Sequence, residues 1–175
     1  MPDASAVWEA AATWDGRRED GKESVWDYPR PPVVVRCERR ARVELGGETV
    51  ADSERALRVL ETTGPPTIYF PPADVRSDVL EPAPGKTTVC EWKGTASYHH
   101  GVVGEPRAEL VAWSYPQPTE PFEAIAGYVA FFAGRADAAY LDDERVEPQP
   151  GEFYGGWITA DIAGPFKGSL GTASW

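Results

Sequence analysis

The chain has 175 residues and a formal net charge of −11. Nucleic acids and anionic membrane surfaces both select basic proteins, so this charge argues against either as a partner. The length corresponds to one domain that can bury its own core, and two cysteines, Cys37 and Cys90, are too few for a disulfide framework. Because the sequence has no signal-peptide pattern and no stretch of about 18 uninterrupted apolar residues, we expect a cytoplasmic protein.

Composition divides the chain into three parts. Residues 1–32 carry a weak helical pattern and then a proline-rich strap over 26–32, where the prolines exclude regular structure. Residues 33–147 form the body. Residues 148–175 are rich in glycine and aromatic side chains and are too apolar for a disordered end. We therefore expect a single β domain with an N-terminal arm and a C-terminal tail, packed on it or on a second copy.

Short segments with alternating apolar residues, separated by turn residues, predict antiparallel strands. The clearest is a hairpin over 41–51 around Gly46-Gly47, a dipeptide that accepts the positive φ angles of a two-residue turn. This register places Val43 opposite Val50. The other predicted strands lie at 33–36, 56–61, 67–70, 87–92, 95–99, 110–115, 138–141 and 145–146.

One segment has a helical pattern. Over 120–133, four apolar residues fall on a single stripe at helical spacing, with Pro121 suited to the first turn and Gly134 to the stop. These four are Phe122, Ile125, Val129 and Phe132. Many short strands, frequent turns and one main helix near 120–133 predict a mostly β, antiparallel fold.

Several segments of the central chain occur in the order of a known family. They are ADS at 51–53, RALRVLE at 55–61, YFPPADV at 69–75, CEWKGTASY at 90–98, WSYP at 113–116 and IAGYVA at 125–130. Over roughly residues 42–142 the chain resembles the family called domain of unknown function 427. The resemblance implies a β-tent-like fold, a small folded-over antiparallel sheet, and brings no established reaction with it.

The family also carries a nucleotidyltransferase-like label. That chemistry needs a Gly-Ser pair followed by paired carboxylates that hold metal ions, and the only pair here, Gly168-Ser169, has no carboxylate after it. A zinc site is disfavoured as well, because its candidate ligands include no pair at a familiar cysteine spacing. Those candidates are Cys37, Cys90, His99 and His100. We therefore expect no metal and no cofactor.

The hairpin over 87–99 contains the most informative residues. A two-residue turn at Lys93-Gly94 makes Cys90 face Ser97 across the hairpin. Lys93 then lies at the tip, where its ammonium either binds a carboxylate or phosphate or is simply solvated. Cys90 is either a nucleophile activated by a base such as His99 or, as is more common, a small buried thiol.

Glu61, Lys93 and Tyr98 are the candidate catalytic residues. Residues 56–61 fit a strand better than a helical turn, because turn residues follow at once. In that strand Glu61 lies on the apolar face, where a carboxylate can serve as a general base. The alternative is that Glu61 is a glutamate at an ordinary strand end without a catalytic role. A lysine and a carboxylate at the same mouth are expected to pair and keep each other charged.

Four further residues complete the candidate site as ligand-binding groups: Tyr69, Asp74, Trp92 and Trp113. Tyr69 can donate a hydrogen bond, the two tryptophans can form a wall, and Asp74 either joins the site or caps the turn after Pro72. Because strand ends of a folded-over sheet converge at its mouth, we expect one pocket for a small polar or anionic molecule, in an enzyme or a binding protein. The alternative is a structural or partner-binding module, such as a homodimer, that uses the aromatic arm and tail.

Overall fold

A computed structural model of the chain describes residues 3–175. Within that range one α-helix, α1, spans Ala4–Ala10, and short 3-10 helices span Val25–Asp27, Pro72–Asp74, Ser77–Val79 and Glu120–Ile125. None of these helices has the length and apolar character needed to span a bilayer. The strands are β1 Glu23–Ser24, β2 Val33–Arg36, β3 Ala41–Leu45, β4 Glu48–Ser53, β5 Leu57–Leu60, β6 Thr67–Tyr69, β7 Leu80–Cys90, β8 Gly94–Gly101, β9 Ala108–Ser114, β10 Val129–Phe131, β11 Ala138–Leu141, β12 Glu144–Arg145, β13 Glu147–Pro148, β14 Trp157–Ile158 and β15 Ile162–Ala163.

Three antiparallel sheets form the body. The long sheet has the strand order β10-β9-β8-β7, the middle sheet β12-β11-β3-β4 and the short sheet β2-β5-β6. Two smaller ladders, β1-β15 (parallel) and β13-β14 (antiparallel), involve the arm and the tail. The mostly β, antiparallel class predicted from the sequence is confirmed.

Side chains along the central strands alternate between two apolar clusters. At β6 and the residue after it, Ile68 and Phe70 enter the main cluster while Tyr69 enters the second. At the end of β10, Phe131 enters the main cluster and Phe132 enters the second. The main cluster joins the long sheet to the middle sheet, and the second joins the long sheet to the short sheet. This alternation follows from the period of two in a strand.

The helix predicted over 120–133 is wrong. Glu120–Ile125 form a 3-10 helix that is kinked at Phe122, Gly127 takes a left-handed φ of +72°, and β10 then pairs with β9. All of residues 128–132 are buried, because this strand has an apolar cluster on each face. The predicted stripe combined two residues of the 3-10 helix with two residues at or beside the buried strand, so its helical spacing was a coincidence.

The hairpin around Gly46-Gly47 forms as predicted, and the two glycines have φ of +57° and +79°. Its register differs from the prediction, since Val43 pairs with Ala51 and not with Val50. Val50 is the extra residue of a β-bulge, which a turn signal alone does not reveal.

Arm and tail pack against each other and on the body. Strand β1 of the arm pairs with β15 of the tail, and Tyr28, Leu60 and Ile162 share a third apolar cluster. Trp157 is 1% exposed, and its indole N–H donates a hydrogen bond to the carbonyl of Phe131 at 3.0 Å. Trp157 thereby joins the tail to the main cluster.

Candidate functional site

A cavity of about 270 Å³ lies where the short sheet, the long sheet and the tail meet. Its walls come from β5 and β6, from the hairpin between β7 and β8, from β9 and from residues 149–155. It brings together six of the seven candidate residues, which are Glu61, Tyr69, Trp92, Lys93, Tyr98 and Trp113. Asp74 lies elsewhere.

The hairpin that carries Lys93 is not the predicted one. Cys90 pairs with Gly94 and not with Ser97, so residues 91–93 form a three-residue loop that is closed by Gly94 at a φ of +104°. Thr119, from a distant segment, is hydrogen-bonded to this loop. Its N–H donates to the Lys93 carbonyl at 3.0 Å, and its hydroxyl donates to the Trp92 carbonyl. In this loop the lysine side chain is buried and lines the cavity.

Lys93 is therefore not a solvated turn residue. It is 9% exposed, and its ammonium lies 3.2 Å from the Cys90 sulfur and 5.6 Å from the centre of the Tyr115 ring. Within residues 3–175 no carboxylate lies within 4.0 Å of this ammonium. A buried cation that lacks an anionic partner is costly, and this one lines a cavity.

Glu61 lines the same cavity, but the expected pair between it and Lys93 does not form. Among the described residues no Lys, Arg or His nitrogen lies within 4.0 Å of the Glu61 carboxylate. The Glu61 carbonyl accepts a hydrogen bond from the Gly64 N–H at 3.1 Å, which holds the turn that follows β5. Glu61 and Lys93 therefore face one cavity without neutralising each other directly.

Aromatic side chains provide eight of the 22 residues that line the cavity. The Trp113 indole donates to the Tyr69 hydroxyl at 3.4 Å, and the Tyr98 and Thr88 hydroxyls lie 2.8 Å apart. Burial raises the pKa of both Tyr69 and Tyr115, so both hydroxyls stay protonated at neutral pH and can donate to a ligand. The alternation of β9, with Trp113 and Tyr115 two residues apart, is the signal that would have added Tyr115 to the site.

The tail supplies a wall that sequence reasoning missed entirely. The buried Gln149 amide accepts from the Gly156 N–H at 2.9 Å and donates to the Lys167 carbonyl at 2.8 Å. These bonds hold the loop that places Phe153 and Tyr154, both exposed, at the edge of the cavity. The apolar side chains of this segment indicate that it packs on the body, but nothing local in it indicates which strands it contacts.

Gly155 is the point of closest approach between tail and cavity wall. A Cβ at this position would lie 2.2 Å from the Trp113 ring, so Gly155→Ala must displace the indole or the loop. We expect it to lower the free energy of unfolding by about 1–3 kcal/mol, measured by urea denaturation. Gly64→Ala is the matched control on the same cavity, because its Cβ would meet nothing closer than 3.8 Å. Equal stability of the two variants would contradict this packing.

The structure does not place Asp74 in the cavity with the other candidate residues. Its carboxylate accepts two hydrogen bonds from Arg55, both at 2.9 Å, and one from the Ser53 hydroxyl at 2.6 Å, outside the cavity. It is not the cap of its 3-10 helix either, since Pro71 occupies that position. Burial opposes ionisation of Asp74, but the hydrogen bonds from Arg55 and Ser53 outweigh it and hold the pKa below its ordinary value.

This carboxylate makes a pH-dependent contribution to stability. Because the folded-state pKa of Asp74 is lowered, its contribution is present above the ordinary carboxyl pKa of about 3.9 and is lost as the pH falls through the folded value. We expect Asp74→Asn to cost about 1–2 kcal/mol at pH 7 in urea denaturation, and the difference from wild type to close below about pH 4. Asp78→Asn, at an exposed ion pair, is the control and should change little. A difference that persists at low pH would contradict the assignment.

Neither of the two histidines is placed to act as a base for Cys90. The Nδ1 of His100 accepts the Leu110 N–H at 3.0 Å, and His99 pairs with Pro82 at the far end of the hairpin. Neither lines the cavity. Across residues 3–175, no three His, Cys, Asp or Glu side chains cluster in a way that would hold a metal ion.

These features define a small antiparallel β protein whose long and short sheets enclose an aromatic cavity with a buried lysine. The chain belongs to the family described as Domain of unknown function (DUF427), whose model matches residues 33–142. The family suspected from the sequence motifs is thereby confirmed. No curated protein matches the chain. Most of the cavity falls in the matched range, while Gln149, Tyr154 and Lys167 add walls from the tail beyond it.

Proposed function

We propose that the protein binds a small organic anion in this cavity, with Lys93 as the group that recognises the negative charge. The observation that carries this proposal is that Lys93 is nine-tenths buried and has no carboxylate within 4.0 Å of its ammonium among the described residues. Removing one partner of a buried ion pair typically costs several kcal/mol. A lysine kept in that condition beside a cavity is best explained by a ligand that supplies the missing charge.

The walls indicate the body of the ligand. The faces and edges of Tyr69, Tyr98, Trp113 and Tyr115 favour a planar, largely apolar group. A cavity of about 150 Å³ holds benzene, so a volume of about 270 Å³ has room for a substituted six-membered ring. Glu61 adds an acceptor for an N–H or O–H of the ligand, which makes the preferred class a carboxylate or phosphate on a planar ring.

Thermal unfolding in the presence of three probes tests the proposal. Benzoate combines the charge with a planar body, benzamide has the body without the charge, and inorganic phosphate has charge without the body. We expect benzoate to raise the melting temperature in a saturable way, since a ligand at a hundred times its Kd adds about 2.7 kcal/mol. Benzamide and phosphate should act at least about tenfold more weakly. Equal shifts from benzoate and benzamide would contradict charge recognition by the cavity.

The alternative, a module that binds a partner through its aromatic arm and tail, has less support. Trp26 of the arm packs on Trp175 of the tail at 5.2 Å between ring centres, and its indole donates to the Pro165 carbonyl at 2.9 Å. These aromatic groups are thus engaged within the chain. A cytoplasmic location is part of the proposal, supported by two free cysteines, Cys37 and Cys90, which a reducing compartment preserves.

A further inference from the structure

We infer that Cys90 is a nucleophilic thiol that reacts with small electrophiles bearing a carboxylate, which Lys93 holds beside it. The inference deepens the proposed function and rests on it, because the same lysine recognises the anion. It extends the ligand class from anions that bind to anions that become covalently attached.

The cavity places the two groups in contact. The sulfur of Cys90 lies 3.2 Å from the Lys93 ammonium, both residues line the cavity, and Cys90 is only partly buried. A second observation points to a ligand, namely that Lys93 is nine-tenths buried and its ammonium has no carboxylate partner among the described residues. A carboxylate that binds this ammonium brings an attached carbon within reach of the sulfur.

Cys37 provides an internal reference on the same chain. It is 1% exposed, its thiol donates to the Arg39 carbonyl at 3.3 Å, and it does not line the cavity. Burial raises the pKa of the Cys37 thiol, which lowers the fraction of reactive thiolate. Any preference for anionic reagents should therefore appear at Cys90 alone.

The chemistry is a simple displacement when iodoacetate is the probe. The Cys90 sulfur attacks the methylene carbon, an S–C bond forms as the C–I bond breaks, and iodide leaves with the bonding electron pair. The thiol proton passes to the solvent. No oxidant or further reactant is needed, and iodoacetamide undergoes the same displacement without the negative charge.

Alkylation rates measured by mass spectrometry on the full chain test the inference. For each cysteine, the rate with iodoacetate is divided by the rate with iodoacetamide, and the quotient is compared with that of free glutathione in the same buffer. We expect the Cys90 quotient to exceed the glutathione quotient by about tenfold, through attraction to a charge a few ångströms away. Lys93→Met should bring it to within about twofold of glutathione, and Lys86→Met, at an exposed lysine, should leave it high.

A quotient at Cys90 equal to that of glutathione, or one unchanged in Lys93→Met, would overturn the inference, as would failure of Cys90 to react with either reagent. Benzoate-dependent thermal stabilisation of the wild type separates this failure from failure of the proposed function. If benzoate stabilises the protein and the quotient is ordinary, the cavity binds anions and Cys90 is not their nucleophile. If benzoate has no effect, the proposed function fails first.

Discussion

Replacing Glu23 by alanine should lower the free energy of unfolding by about 3–5 kcal/mol, the loss expected when one partner of a buried ion pair is removed. Glu23 is 1% exposed and lies in the arm, where its carboxylate accepts a hydrogen bond from Tyr28 at 2.7 Å. It also pairs with Arg58 at 3.0 Å and with Arg17 at 3.2 Å. The variant leaves the largely buried Arg58 guanidinium without its carboxylate. Urea denaturation at neutral pH measures the loss.

A matched control lies four residues further along the arm. Asp27 pairs with Arg18 at 3.0 Å with both side chains about half exposed, so Asp27→Ala should leave the urea midpoint close to that of the wild type. Replacing both members of the buried pair by apolar residues, Glu23→Leu with Arg58→Met, should recover much of the stability. A loss below about 1 kcal/mol in Glu23→Ala would mean that the buried network does not hold the arm.

Replacing Lys93 by methionine should have the opposite effect on stability. The buried ammonium has a thiol and an aromatic face as its neighbours and no carboxylate within 4.0 Å among residues 3–175, so the folded protein bears its desolvation cost. Methionine has a similar length and no charge. We expect the variant to gain about 1–2 kcal/mol in urea denaturation without added ligand, as happens where function keeps a site strained.

The control for this gain is Lys86→Met. Its ammonium lies 5.6 Å from the Tyr98 ring centre, the same distance as that of Lys93 from Tyr115, but Lys86 is exposed. Removing a solvated charge should change the stability little. Destabilisation by Lys93→Met would show that the lysine is a structural group, and its role in ligand recognition would have to be abandoned.

Much of the fold could be read from local patterns because strands and tight turns have local causes. The alternation in β5 and the Gly46-Gly47 turn depend on neighbouring residues alone, and both were predicted. The segment over 120–133 was not, because a strand buried on both faces has no polar side to mark its period. The bulge at Val50 depends on packing across the sheet and leaves no trace in the hairpin sequence.

The same distinction between local and long-range causes applies to the candidate site. Strand ends and turn tips indicated four polar residues of the cavity, because a folded-over sheet brings such ends together, and two tryptophans were added as a wall. The orientation of Lys93 could not be predicted, since the three-residue loop that carries it is hydrogen-bonded to Thr119 from a distant segment. Asp74 was wrongly assigned to the cavity because it pairs with Arg55, which lies on a different turn, and the sequence does not show that these two side chains meet. The part of the cavity wall that comes from the tail could not be predicted, because it depends on contacts between residues far apart in the sequence.

Calorimetric titration of benzoate into the wild type and into Lys93→Met tests the central claim most directly. Both proteins are titrated in the same low-salt buffer, after urea denaturation has shown that the variant is folded. If Lys93 recognises the anion, the Kd of the variant should be at least about tenfold higher, the equivalent of losing one charge-assisted hydrogen bond. The same Kd in both proteins would contradict the claim that the buried lysine makes this cavity an anion site.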